Sequence, residues 1–121
     1  MMKWVHLIRP QIFREEVANE RRLVLLLCMP HNDAFHEQIQ IIEELARLYA
    51  NELKVMLTEE SSLEAFKKDL AIVGTPTILF LKQGREIFRV LGLADLDMLR
   101  RFVGKALGNH PGGSPSENIG G

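Results

Sequence analysis

A mixed α/β domain with helices on both faces of its sheet is the fold class that three features of the chain predict. Residues 23–28, Leu-Val-Leu-Leu-Leu-Cys, are apolar without alternation, as in a strand covered on both sides within a parallel sheet. Residues 33–51 place Phe35, Ile39, Ile42, Ala46 and Tyr49 on one helical face, and Ile41, Leu45 and Leu48 widen it. Between residues 77 and 91, two strand-like runs flank Lys82-Gln83-Gly84-Arg85, which has the chemistry of a tight hairpin turn. Alternating strands and helices followed by a hairpin make the sheet part parallel and part antiparallel.

The remaining elements follow from local signals. Residues 4–8 read as a short first strand, and Pro10 suits the start of a helix, where a missing N–H costs little. Ile12, Phe13, Val17 and Ala18 form the apolar stripe of that helix. Residues 53–57 are a second candidate central strand. Ser61-x-x-Glu64 reads as a capping box opening a short helix, with Leu63, Phe66 and Leu70 turned inward. Pro76 precedes the apolar run Thr77-Ile78-Leu79-Phe80-Leu81, where it starts a strand without owing it a donor. Asp95 or Asp97 begins the last helix, whose core face is Leu96, Leu99, Val103 and Leu107. The order is β-α-β-α-β-α-β-β-α over residues 1–107. Residues 108–121 are rich in Gly, Pro, Ser and Asn and read as a flexible tail.

At 121 residues the chain has room for one domain and one core. Its net charge of -1, from 15 basic and 16 acidic residues without a long block of either sign, argues against a nucleic-acid footprint or attraction to anionic membranes. The longest apolar run, residues 23–29, is too short to span a bilayer. The amino-terminal residues lack the apolar core of a secretory signal, so the expected compartment is the cytoplasm. A single cysteine, Cys28, leaves no internal disulfide and agrees with reducing surroundings.

The segment Val73-Gly74-Thr75-Pro76-Thr77, with Gly84 and Gly92 after it, resembles the cis-proline element of the thioredoxin family. The likeness extends to Val5-His6-Leu7-Ile8 with Phe13 and Val17, to Ile42-Glu43-Glu44-Leu45-Ala46 with Tyr49, and to Leu53-Lys54-Val55. It covers roughly residues 5–107 and implies a thioredoxin-like fold. The departures lie at the redox apparatus. Counting back from Glu44, the four positions of the Cys-x-x-Cys motif are Asn32, Asp33, Ala34 and Phe35. Thiol–disulfide exchange needs an attacking thiolate and, in a dithiol enzyme, a second thiol to release the product. The family's buried aspartate maps to Leu26 and its lysine neighbour to Leu57.

The resemblance therefore implies a non-catalytic domain that keeps a docking cleft, acting as a peptide-binding, chaperone or assembly module without cofactor or metal. The expected surface is His31, Asn32, Asp33 and Ala34, then Gly74, Thr75 and Pro76, then Leu91, Gly92 and Leu93, with Met29 or Phe35 adding apolar contact. Its partner is a protein or extended peptide client, held by main-chain hydrogen bonds and side-chain pockets. The alternative is a monothiol oxidoreductase using Cys28, in which Cys28-Met29-Pro30-His31 forms a shifted site and His31 favours the thiolate. That reading competes with Cys28 as a small buried hydrophobe. His31, Asp33, His36 and Glu37 cluster near the start of the long helix, but their spacing matches no metal signature, and Asn32 or Asp33 as a helix cap accounts for them.

Overall fold

The structure is a computed structural model that describes residues 3–108. Five strands, β1 (Val5–Ile8), β2 (Leu23–Cys28), β3 (Leu53–Thr58), β4 (Thr77–Lys82) and β5 (Arg85–Leu91), form one sheet in the order β1-β3-β2-β4-β5. β1, β3 and β2 run parallel, while β4 lies antiparallel to β2 and β5 to β4. The helices are α1 (Pro10–Asn19), α2 (Asp33–Leu48), α3 (Leu63–Asp69) and α4 (Leu96–Leu107), with a 3-10 turn at Glu60–Ser62. The mixed α/β architecture expected from the apolar patterning is the one observed. Of the expected tail, residues 109–121 lie outside the described residues, and Gly108 closes α4 with φ +72°.

Strand parity splits the core into two layers. Leu23, Leu25 and Leu27 point to the face covered by α2 and α4, where they meet Ile42, Leu45, Leu99 and Val103. Val24, Leu26 and Cys28 point to the face covered by α1 and α3, against Phe13, Val17 and Phe66. Every β2 residue is buried. Burying one leucine side chain contributes about 1.5–3 kcal/mol, whereas an exposed pair such as Lys67–Glu64 contributes about 0–1 kcal/mol. The two apolar layers therefore decide the fold.

Several local expectations change. Ile12 and Ala18 are exposed on α1, so its buried stripe is Phe13 and Val17 alone. α2 stops at Leu48, which faces solvent, because the chain turns at Tyr49: the N–H groups of Glu52 and Leu53 both donate to the Tyr49 carbonyl at 2.8 Å. The Ser61/Glu64 capping box does not form. Ser61 lies inside the 3-10 turn, Ser62 takes the N-cap position without a side-chain bond, and Glu64 pairs with Lys67. Asp95 is the cap of α4, its Oδ1 accepting from the Met98 N–H at 2.8 Å. The hairpin turn holds Gln83 at φ +52° and Gly84 at φ +81°, the two positive φ values of a type I′ turn.

Arg89 ties the outer strand to the end of α3. Its Nε and Nη2 donate to the Glu86 carboxylate at 2.6 and 2.7 Å. Nη2 and Nη1 also donate to the carbonyls of Leu70 and Ala71, at 3.0 and 3.1 Å. The hydrogen bond from Arg89 holds the Glu86 carboxyl below its usual range, against the opposing effect of partial burial. A carboxyl that binds its proton less tightly when folded stabilises the fold above the ordinary carboxylate range. That contribution is lost as pH falls through the folded value. Glu86→Gln should therefore lower the melting temperature at neutral pH, with the gap to the parent chain closing as pH falls through the folded value into acid. A gap unchanged across that range in thermal melts would show that the charge of Glu86 contributes nothing.

Candidate functional site

Three chain segments meet where β2 ends, β4 begins and β5 ends. The Thr75–Pro76 peptide bond is cis. Thr77, buried at the start of β4, donates its Oγ1 hydrogen to the Gly74 carbonyl at 2.6 Å and closes the loop before it. Register places Thr77 opposite Leu91, and the Gly92 N–H donates to the Pro76 carbonyl at 2.9 Å, so the end of the loop before β4 lies beside the end of β5. Gly92 stands at φ +96°, a backbone shape that side-chain-bearing residues rarely adopt. Among the described residues, neither the N–H nor the C=O of Thr75 enters a hydrogen bond, and the residue is exposed.

Apolar side chains border this open backbone. Val73 is 88% exposed, Leu91 61% and Leu93 58%. Of the two further apolar contacts expected there, Met29 is excluded because it is buried in the core, and Phe35 is half-buried with its ring stacked on His31 at 4.2 Å. Asn32, Asp33 and Ala34 are exposed at the start of α2. Asn32 occupies the N-cap position, but its side chain makes no capping bond. The Phe35 N–H donates to the Asn32 backbone carbonyl instead.

The His31 ring makes its polar contacts with residues other than Cys28. Its Nε2 lies 3.3 Å from the Thr58 carbonyl oxygen, an acceptor, so that nitrogen carries the proton. Nδ1 lies 3.9 Å from Glu60, whose carboxylate also accepts from the His31 backbone N–H at 3.3 Å. Among the described residues the buried Thr58 hydroxyl has no hydrogen-bond partner, and nothing in the structure explains it. Among the described residues, no three His, Cys, Asp or Glu side chains are grouped to hold a metal ion.

Cys28 is fully buried in the α1/α3 layer. Burial pushes its thiol up to about 12, and the charge of Arg89 offsets that effect only in part. At neutral pH such a thiol is almost wholly protonated, and the protonated form is a poor nucleophile. Leu26 and Leu57, the aliphatic residues at the family's aspartate and lysine positions, are both buried. They belong to opposite layers of the sheet, with Leu26 in register with Met56, and so are not neighbours across one site.

The patterning left one positioning residue unread. Gln38 is buried on α2, where its Nε2 donates to the Ala94 carbonyl at 3.0 Å and its Oε1 accepts from the Ala94 N–H at 2.9 Å. This paired bond fixes the loop after β5 against α2. Its signal in the chain is the spacing Phe35, Gln38, Ile42, Leu45, which puts a polar residue on the core face. Beside it lies a groove of about 280 Å³ between the starts of α2 and α4, lined by Ala34, Glu37, Ile41, Leu93, Asp95 and Met98 among others.

Two measurements test this arrangement. Gln38→Leu should cost about 2–4 kcal/mol in urea unfolding, because both polar groups of Ala94 lose their buried partner; a cost within error of zero would mean that the loop is held otherwise. A thiol reagent at neutral pH should label the native chain slowly and the denatured chain fast. Equal rates in the two states would show that Cys28 is accessible.

No family model and no curated protein sequence matches the chain. Among solved structures, a thioredoxin mutant from Halobacterium salinarum is similar with a TM-score of 0.76 at 18% identity, the match covering 88% of this chain and 94% of that one. A designed protein reaches a TM-score of 0.74 at 21% identity, over 88% of this chain and 95% of its own. At such identities the likeness speaks for the fold, and it agrees with the strand order and the two-sided helical cover: the chain has a thioredoxin-like fold.

Proposed function

We propose that this domain is a non-catalytic binding module, cytoplasmic in setting, that holds an extended segment of a partner protein along residues 73–76 and 91–93. The observation that carries this reading is the exposed Thr75, whose backbone groups have no hydrogen-bond partner among the described residues, with the exposed Val73, Leu91 and Leu93 nearby. Free main-chain groups supply affinity to an extended chain, and apolar side chains on either side supply area and selectivity. An assembly or chaperone role follows naturally for a domain that docks segments without altering them. Asn32 and Phe35, where the resemblance expects the reactive cysteines, offer no thiol. The competing reading, a monothiol oxidoreductase, requires the thiolate of Cys28, which burial disfavours.

Linear peptides selected from a random displayed library against the whole chain provide the test. Bound peptide should shift the amide resonances of residues 73–76 and 91–93 ahead of all others. Val73→Ser and Leu91→Ser should each weaken binding about fivefold while changing stability by no more than about 0.5 kcal/mol, as exposed positions do. Peptide shifts confined to another face, or affinity indifferent to both substitutions, would refute the proposed edge.

A further inference from the structure

We infer that the groove between the starts of α2 and α4 is a subsite for a lysine or arginine side chain in the same extended segment; this rests on the reading just given. The groove adjoins the proposed edge through Leu93, one residue beyond the Gly92 that bonds to Pro76. At about 280 Å³ it lies at the lower end of the roughly 300–1,000 Å³ usual for small-molecule pockets, and it has room for one long side chain. The lining has two characters. Ile41, Leu93 and Met98 offer apolar surface, while Glu37 and Asp95 bring carboxylates and no lysine or arginine lines the groove.

A long basic side chain fits both characters, because its methylene stem lies along apolar surface while its charged head seeks anions and water. A purely aliphatic side chain would leave the carboxylates facing apolar surface, and an acidic one would be repelled. Neither Glu37 nor Asp95 enters an ion pair among the described residues, so an incoming cation breaks no salt bridge, although one Asp95 oxygen is engaged by the Met98 N–H. The chain's net charge of -1 is too small to attract basic peptides in general, which makes the preference local to the groove. The wall is preformed: Gln38 clamps Ala94 from inside, and Asp95 is fixed by its bond to the Met98 N–H. Binding therefore does not have to order the loop, and the charge pairing is not spent on that cost.

The experiment uses the peptides selected above, made synthetically and titrated by fluorescence anisotropy. Selected sequences should carry Lys or Arg at one fixed position. Replacing that residue by Met should weaken binding about fivefold at low salt, with a smaller difference at high salt. Glu37→Gln combined with Asp95→Asn should abolish the difference and leave the Met peptide's affinity unchanged, since Asn preserves the helix cap. Glu37→Arg should reverse the preference towards a peptide with Glu in that place. Peptides that bind at residues 73–76 and 91–93 without preferring a basic residue would overturn the subsite and spare the binding reading. If no peptide binds there, both fall.

Discussion

The complete burial of β2 is the constraint from which the rest of the structure follows. A strand with six apolar residues and no polar face must be covered on both sides. Covering it takes α2 and α4 on one side and α1 and α3 on the other, and it places β3 and β4 as flanking strands. The same constraint sets the state of Cys28. As the last residue of β2, it points into the α1/α3 layer and has no access to water. Its raised pKa is a consequence of that burial, which the charge of Arg89 offsets only in part.

The ends of the strands are organised differently from their middles. At the junction of β2, β4 and β5, polar bonds fix the backbone and leave apolar side chains outside. Thr77 holds Gly74, Pro76 receives Gly92, and Gln38 grips Ala94. His31 is drawn toward Thr58 and Glu60 on the opposite side of the β2 exit. Arg89 steadies the approach to the same junction by binding the carbonyls of Leu70 and Ala71. A frame restrained in this way can present Val73, Leu91 and Leu93 to solvent without collapsing over them, which is how preorganised surfaces avoid the entropic cost of ordering on contact. Backbone hydrogen bonds around the junction and uncovered apolar side chains beside it together favour the proposed binding edge.

Where local reading failed, it failed for identifiable reasons. The capping box at Ser61 has the right letters, but the chain leaves β3 through a 3-10 turn that absorbs the serine. Leu48 continues the helical period, yet the turn at Tyr49 releases the chain before that position meets the core. Met29, expected to add apolar contact at the cleft, is buried in the α2/α4 layer instead. Each of these lies at or beside the end of an element, where the packing of its neighbours outweighs the pattern within it.

The amino-acid sequence by itself determined the order of the elements, the two-sided cover of β2, the hairpin at Gly84 and the absence of a cysteine pair. These depend on periodicity, turn chemistry and composition, all written within a few neighbouring residues. Only the tertiary structure decided that Cys28 is inaccessible, that Leu26 and Leu57 face opposite layers, and that Glu37 and Asp95 border one groove. The bond between Gln38 and Ala94 spans 56 positions of chain. Contacts at such separations depend on how finished elements pack against each other, and the pattern within either element carries no record of its partner.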